Sequence, residues 1–390
     1  MKIHRFKSGD TTELIAKEYG TTSEMISVYN SLDKSSPAIG EELIILTPTR
    51  TYKTRVNDTL ERISLRFAVK KNKLISINPG IGEGALPVGR ELALRFSESC
   101  YGTALANGYF YNGCTEDKLR AVLPYLTYIT FSVAKFDGGG VVISALPKGA
   151  LELCRESGKI PLIRIYEENK SQKYKNPDLF INECIRVAKL YGFKGITINL
   201  EGEVSERCAC EFLIRMRKRL IGCDLILITE INERSGYEFT DYSDGSVICY
   251  PKLAMNEPPS FAEGERAIFS EFATRGESAK TFIDLATLAK CRDSFYDIQS
   301  VIRRVRGGRG EILHDDERML SQARLGGEEY IFTPPSNIKA ILDLVYEYGY
   351  MGISFDIMRI PMSYLYMYGA MFSTMAYSGI IEHGRCGMDG

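Results

Sequence analysis

Apolar positions in this chain fall into two rhythms. From about residue 101 onward, short apolar runs recur at 104–111, 125–136, 160–166, 194–200, 224–230, 245–251, 281–288 and 350–357. The run at 194–200 places Gly195, Ile196, Ile198 and Leu200 so that both faces are apolar. That pattern predicts a strand buried on both sides, as in a parallel sheet, rather than a half-solvated antiparallel one. Most runs are separated by segments with helical apolar spacing, such as 179–192 and 337–350. Eight strands alternating with helices predict the α/β class, as a (β/α)8 TIM-like barrel over about residues 101–378 with a short tail at 379–390. Chemistry in that architecture sits at the C-terminal ends of the strands. Glu201 directly follows the fourth run, and Asn199 lies two residues earlier on the same side of the strand. Glu167, Glu168, Glu230 and Asp356 are further carboxylates expected at strand ends.

The second rhythm is a repeat. Residues 6–30 align with 54–78, placing Asp10 on Asp58, Thr11 on Thr59, Ile15 on Ile63, Tyr19 on Phe67, Ile26 on Leu74 and Asn30 on Asn78, always 48 residues apart. After one inserted residue, Gly40 falls on Gly89. Each copy reads as strand, helix, helix, strand. Asp10 and Asp58 are expected to cap the first helix, and Asn30 and Asn78 to stand where the second ends. Units of this size make small cores, so residues 1–48 and 50–97 are expected as two tethered βααβ modules.

Composition narrows the partners. The 390 residues include 49 Lys plus Arg against 50 Asp plus Glu, so no global field favours nucleic acid or an anionic membrane, and a neutral partner fits better. The first residues lack the apolar segment of a secretory signal, which predicts synthesis and retention on the cytosolic side. Ten cysteines are spread widely, and the one close pair, Cys208 and Cys210, has no second pair at zinc-finger spacing. Neither a metal nor a cofactor is expected. Residues 360–381 carry no charge, but Tyr, Ser, Thr and Gly dilute them, so a packed C-terminal helix is expected rather than a membrane span. The basic run at Arg303–Gly310 and the acidic run after His314 read as solvated loops, and the glycine clusters at 80–84 and 137–140 as turns. His4 and His383 lie near the chain ends, far from any serine or cysteine triad.

The repeat, with its "GDT" or "NDT" turn, short helix, asparagine and "G..L.I" strand, resembles the LysM module across residues 2–96. The resemblance implies binding to N-acetylglucosamine-containing glycans such as peptidoglycan or chitin, in a groove lined by the first turn and the loop after the second helix. On it, Gly9, Asp10, Thr11 and Asn30 in the first module, with Asn57, Asp58, Thr59 and Asn78 in the second, are candidate glycan contacts; caps and turn closures are the structural alternative for the same side chains. Two sites on one chain would raise avidity for a polymer.

Residues 191–202 resemble the fourth-strand motif of family 18 glycoside hydrolases, commonly "DGxDxDxE", and most of all the spore cortex-lytic LysM glycosidases. Matched residue by residue, Glu201 takes the catalytic acid's place, Asn199 that of the last Asp, Thr197 that of the Asp or Asn before it, and Lys194 that of the first Asp. Tyr250, in "VICYP", matches the sixth-strand Tyr, and Asp356 stands where the last strand usually ends in a Trp; the chain has no Trp at all. The implied mechanism is substrate-assisted retention: a Glu protonates the glycosidic oxygen while the sugar's acetamido oxygen attacks the anomeric carbon. Asn199 removes a charge that would stabilise the resulting cation. An active N-acetylglucosaminidase with altered auxiliaries, a silent barrel that holds glycan or a spore-coat partner, and altered chemistry through other carboxylates all fit these residues. The same resemblance implies association with spore cortex or coat, and spore-coat proteins as further partners.

Overall fold

The structure is a computed structural model that describes residues 1–374 apart from 33–34, 82–85, 97–100, 144, 169–170, 201–204, 233–236 and 309. The repeat forms two βααβ modules. In the first, β1 (Lys2–Arg5) is followed by α1 (Thr12–Tyr19) and α2 (Ser23–Tyr29), and β2 (Glu42–Ile45) returns antiparallel to it. In the second, β3 (Pro48–Lys53), α3 (Leu60–Phe67), α4 (Lys71–Ile77) and β4 (Glu91–Phe96) repeat the arrangement. Each encloses a small apolar core, around Ile15, Ile26 and Leu43 in one and Ile63, Leu74 and Leu92 in the other.

The helix starts differ from expectation by one residue. Thr11 and Thr59 are the N-caps, their hydroxyls accepting from the Leu14 and Arg62 amides. Asp10 and Asp58 instead close the preceding turn by accepting from the Lys7 and Arg55 amides at 2.7 Å each. Nor are the modules merely tethered. The Tyr29 hydroxyl of the first donates to the Ile77 carbonyl of the second at 2.7 Å.

The barrel elements then follow: β5 (Thr103–Tyr111), α5 (Glu116–Val122), β6 (Tyr128–Phe136), β7 (Val141–Ile143), α6 (Lys148–Glu156), β8 (Ile160–Glu167), α7 (Gln172–Lys175), α8 (Pro177–Tyr191), β9 (Gly195–Asn199), α9 (Glu206–Ile221), β10 (Ile226–Asn232), β11 (Gly245–Cys249), α10 (Ala267–Thr274) and β12 (Thr281–Asp284). An insertion comes next, with β13 (Leu288–Cys291), β14 (Ser294–Asp297), α11 (Ile298–Gly307), β15 (Glu311–Asp315), β16 (Leu320–Leu325) and β17 (Glu328–Phe332). The chain closes with α12 (Pro335–Glu347), β18 (Gly352–Asp356), α13 (Met362–Met371) and β19 (Ser373–Thr374).

Eight parallel strands pair in the order β5-β6-β8-β9-β10-β11-β12-β18, and β18 closes on β5. Side chains alternate across this wall. Tyr128, Leu162, Ile228, Val247 and Phe282 fill the interior, while Ile129, Ile163, Ile196, Leu227 and Ile283 face the helices. β7 forms a hairpin with β6 whose turn is closed by Asp137, which accepts from the Gly139 and Gly140 amides at 2.9 and 3.0 Å.

The insertion was not legible as such. The run at 281–288 ends as a barrel strand at Asp284, and Leu288 begins an antiparallel sheet of β14-β13-β17-β16-β15. Arg303–Arg306, read as a loop, belong instead to α11, packed around the insertion's own core of Ile298, Val301, Val305 and Tyr330, whereas the acidic run after His314 leaves β15 at Asp315 and passes into an exposed turn at Asp316 and Glu317. The uncharged stretch after residue 360 forms α13, whose nine residues from Ser363 to Met371 are all buried. Among the described residues, no helix is long and apolar enough to cross a membrane.

Candidate functional site at the barrel mouth

A cavity of about 360 Å³ opens where the barrel strands end. Tyr109 and Tyr111 of β5 line it with rings stacked 6.1 Å apart, and Tyr250 and Phe295 add further aromatic surface. Such faces suit the apolar side of a sugar ring. Between them lies a polar layer: Arg164 from β8, Glu230 from β10, Asp284 from β12 and Asp356 from β18.

Two of these carboxylates are pinned. Glu230 is buried and accepts from Arg164 Nε and Nη2 at 2.6 Å each and from the Tyr109 hydroxyl at 2.9 Å. Burial works against the Arg164 charge, but the Glu230 carboxylate overrides it and holds the guanidinium's pKa above its ordinary value. Asp356 accepts from the Met358 amide at 2.8 Å and from Arg359 Nη1 at 2.7 Å. Among the described residues, no cation pairs with Asp284 in this way. Burial, then the Glu230 carboxylate, push its pKa up to about 8 against a hydrogen bond from Ser354.

The residues expected from the sequence distribute unevenly. Tyr250 and Asp356 line the cavity. Asn199 stands half-buried at the end of β9, level with Glu230 on the neighbouring strand. Thr197 lies deeper, fully buried, its hydroxyl without a hydrogen-bond partner among the described residues. Glu201 itself lies outside the described residues. Of the other carboxylates, Glu167 is tied to Lys173 in a buried pair at 2.7 Å and Glu168 pairs with Lys135. Glu230 remains at the mouth.

Arg164, Tyr109 and Asp284 were missed, and the signal for two of them was present. Arg164 and Asp284 each place a charge inside an otherwise apolar strand run, which a barrel tolerates only at its mouth or in a paired network.

In the modules, Gly9, Thr11 and Asn57 are exposed, and Asp10, Asp58 and Thr59 half-exposed. Asp10 also meets His4 Nε2 at 3.0 Å, and Asp58 accepts from the Tyr52 hydroxyl at 2.7 Å. Asn30 and Asn78 are buried and turned inward. The Asn30 amide donates to the Ile26 and Ile44 carbonyls and accepts from the Ile44 amide; Asn78 does the same with Leu74 and Ala93. These two side chains are spent on stapling each module, so as glycan contacts they are corrected to structural ones.

The loop after α2 does not face solvent freely. Ala38 enters the insertion's core, Ile312 donates its amide to the Ile39 carbonyl at 3.0 Å, and Glu41 forms a buried pair with Arg306. In the second module, Pro87, Val88 and Gly89 at the corresponding positions are exposed.

No group of three or more His, Cys, Asp or Glu side chains is placed to hold a metal among the described residues. Cys208 and Cys210 sit half-buried on α9.

Comparison with known proteins agrees with the architecture. The LysM domain model matches residues 4–46 and 52–95. YdhD of Bacillus subtilis (strain 168), provisionally named a sporulation-specific glycosylase, is 25% identical over 236 residues. That match takes in 56% of this chain and 56% of YdhD, so the chain spans little more than half the length of this relative. The spore cortex-lytic enzyme SleL of Bacillus cereus superposes with a TM-score of 0.71 at 19% identity, covering 96% of this chain and 99% of SleL. A chitinase from Chromobacterium violaceum ATCC 12472 superposes with a TM-score of 0.60 at 14% identity over 69% of this chain and 99% of its own. The chain therefore carries two LysM domains followed by a barrel of the chitinase-like fold, in the arrangement seen in SleL.

Proposed function

We propose that the protein is a peptidoglycan-directed glycosidase of the spore, cutting beside N-acetylglucosamine by substrate-assisted retention with Glu201 as the acid. The observation that carries this reading is the open, tyrosine-lined cavity at the strand ends, lined by Glu230 of β10, which pairs in register with Asn199 of β9, two residues before Glu201. The LysM pair and the likeness to SleL and YdhD support the substrate class and the spore setting.

In this scheme the Glu201 proton passes to the glycosidic oxygen as the bond to the anomeric carbon breaks. The acetamido oxygen bonds to that carbon, and water then opens the ring so formed, returning a proton to Glu201. In the same scheme the Tyr250 hydroxyl bonds the acetamido carbonyl, and Thr197 and Asp356 help to bind the sugar.

Asn199 favours a second reading, a barrel that binds glycan, or a spore-coat protein, without cutting. The neighbouring Glu230 does not restore the missing charge, because Arg164 neutralises it. Incubation with spore cortex fragments, reading released reducing ends, separates the two. Release by the wild type that is lost in Glu201→Gln supports hydrolysis. No release by the wild type, with release by Asn199→Asp, establishes a silenced site, since one preorganised electrostatic group is worth roughly 10²- to 10³-fold.

A further inference from the structure

Asp284 occupies a position in the cavity that none of the expected chemistry uses. It stands at the end of β12, level with Ser354 on β18, and lines the same space as Tyr109, Tyr111 and Tyr250. The groups facing it come from every neighbouring strand. Cys249 of β11 has its sulfur 3.9 Å from Asp284 Oδ2, and Ser354 of β18 hydrogen-bonds to it. Glu230 and Asp356 add negative charge, and Tyr109 and Tyr111 present phenols whose own ionisation burial suppresses. The two cations of the layer are already engaged: Arg164 is bidentate on Glu230, and Arg359 is on Asp356.

From this geometry we infer that Asp284 is a neutral carboxylic acid in the resting protein, and that its O–H donates a hydrogen bond to an oxygen of a glycan bound in the barrel mouth. This rests on the proposal above that the mouth takes glycan, and adds the residue that reads it. A third carboxylate here would be a buried charge beside two others whose cations are already engaged, whereas its protonated form supplies a donor where Glu230 and Asp356 only accept. The layer is then neutral overall, two anions against two cations, which suits an uncharged amino sugar. Its raised pKa agrees with that assignment, and sets the pH at which the donor is lost.

The sign follows directly. Binding needs the proton, so affinity is full below the titration and falls as pH rises through it. A soluble N-acetylglucosamine trimer titrated calorimetrically into the full chain should bind the wild type about tenfold more weakly at pH 9 than at pH 7, as one-proton linkage dictates. Asp284→Asn keeps the shape and a donor but cannot ionise, so its affinity should be the same at both pH values. Asp284→Leu, which has no donor, should bind more weakly than the wild type at pH 7. Because the modules are unchanged in all three proteins, differences among them report the barrel. A wild type whose binding is flat from pH 7 to 9, or an Asp284→Asn protein with the same alkaline loss, overturns the inference. Release from cortex fragments is measured in parallel. Release with no dependence on Asp284 discards this inference alone, and absence of both binding and release removes the glycan reading with it.

Discussion

The two LysM domains share one local code and differ in what surrounds it. Both close their first turn with an Asp, cap the first helix with a Thr and staple the second helix to the returning strand with a buried Asn. The first then has its last loop built into the insertion, and the second leaves the same loop exposed. Local sequence therefore sets the module, while its neighbours set which of its faces is available. A glycan approaching the first domain meets Glu41 already held by Arg306, and one approaching the second meets open backbone at Val88 and Gly89.

Matched substitutions test this difference. Gly40 and Gly89 share a φ of +83°, but a Cβ on Gly40 would lie 1.8 Å from the Ile312 carbonyl oxygen, and one on Gly89 meets nothing nearer than Lys53 Cε at 3.8 Å. Gly40→Ala should therefore cost about 4 to 5 kcal/mol through backbone overlap added to left-handed strain, and Gly89→Ala only about 1 kcal/mol. Denaturant midpoints of the two variants give the comparison directly, and equal costs would mean that the loop and insertion do not touch.

Arg306→Ala comes next. It strands the buried Glu41 carboxylate and removes donors from the Ser31 and Asn30 carbonyls, which should cost about 3 to 4 kcal/mol. The side chain of Arg90, which holds the place of Glu41 in the second domain, donates to the Pro79 and Gly80 carbonyls of its own loop, and Arg90→Ala should cost about 1 kcal/mol. Hydrogen exchange of residues 35–41 should rise in Arg306→Ala and stay unchanged in Arg90→Ala.

The staples should show no difference. Asn30→Ala and Asn78→Ala each break the same three buried hydrogen bonds, so each should lower stability by about 2 to 3 kcal/mol. A gap between them larger than about 1 kcal/mol would show that docking, rather than the local code, sets their value.

The smallest effect is a gain. Gly20 ends α1 in the left-handed conformation, and Ala68 ends α3 in the same one at φ +53°. Ala68→Gly should stabilise the second domain by about 0.5 to 1 kcal/mol, read as a rise in thermal midpoint, and Gly20→Ala should do the reverse in the first.

Much of the fold was legible because its determinants are local or periodic. The apolar runs mark the eight barrel strands, and Asp10 on Asp58 with Asn30 on Asn78 marks the repeat. The insertion escaped because Thr281 to Leu288 is one unbroken run, and nothing in Leu285-Ala286-Thr287 announces the change of sheet at that point. The site was half legible for a related reason. A motif points to residues near Glu201 in the chain, whereas Arg164 meets Glu230 across 66 positions and Asp284 is set by groups on three other strands. The role of the asparagines stayed open in the sequence because the same residue type serves a helix end and a sugar equally well, and burial is what favours the structural role.

Lys73 reaches from α4 to donate to the Gly369 and Phe372 carbonyls at the end of α13, at 2.5 and 2.7 Å. Tyr125 likewise bonds the Ser76 carbonyl, and Tyr29 lays its ring against Tyr366. The uncharged helix α13 is thereby roofed by the chain's own beginning. Excising the first hundred residues to obtain a lone barrel would bare that helix to water and yield a sticky, aggregating fragment, so in this molecule the LysM tandem doubles as a fitted lid on the barrel's underside.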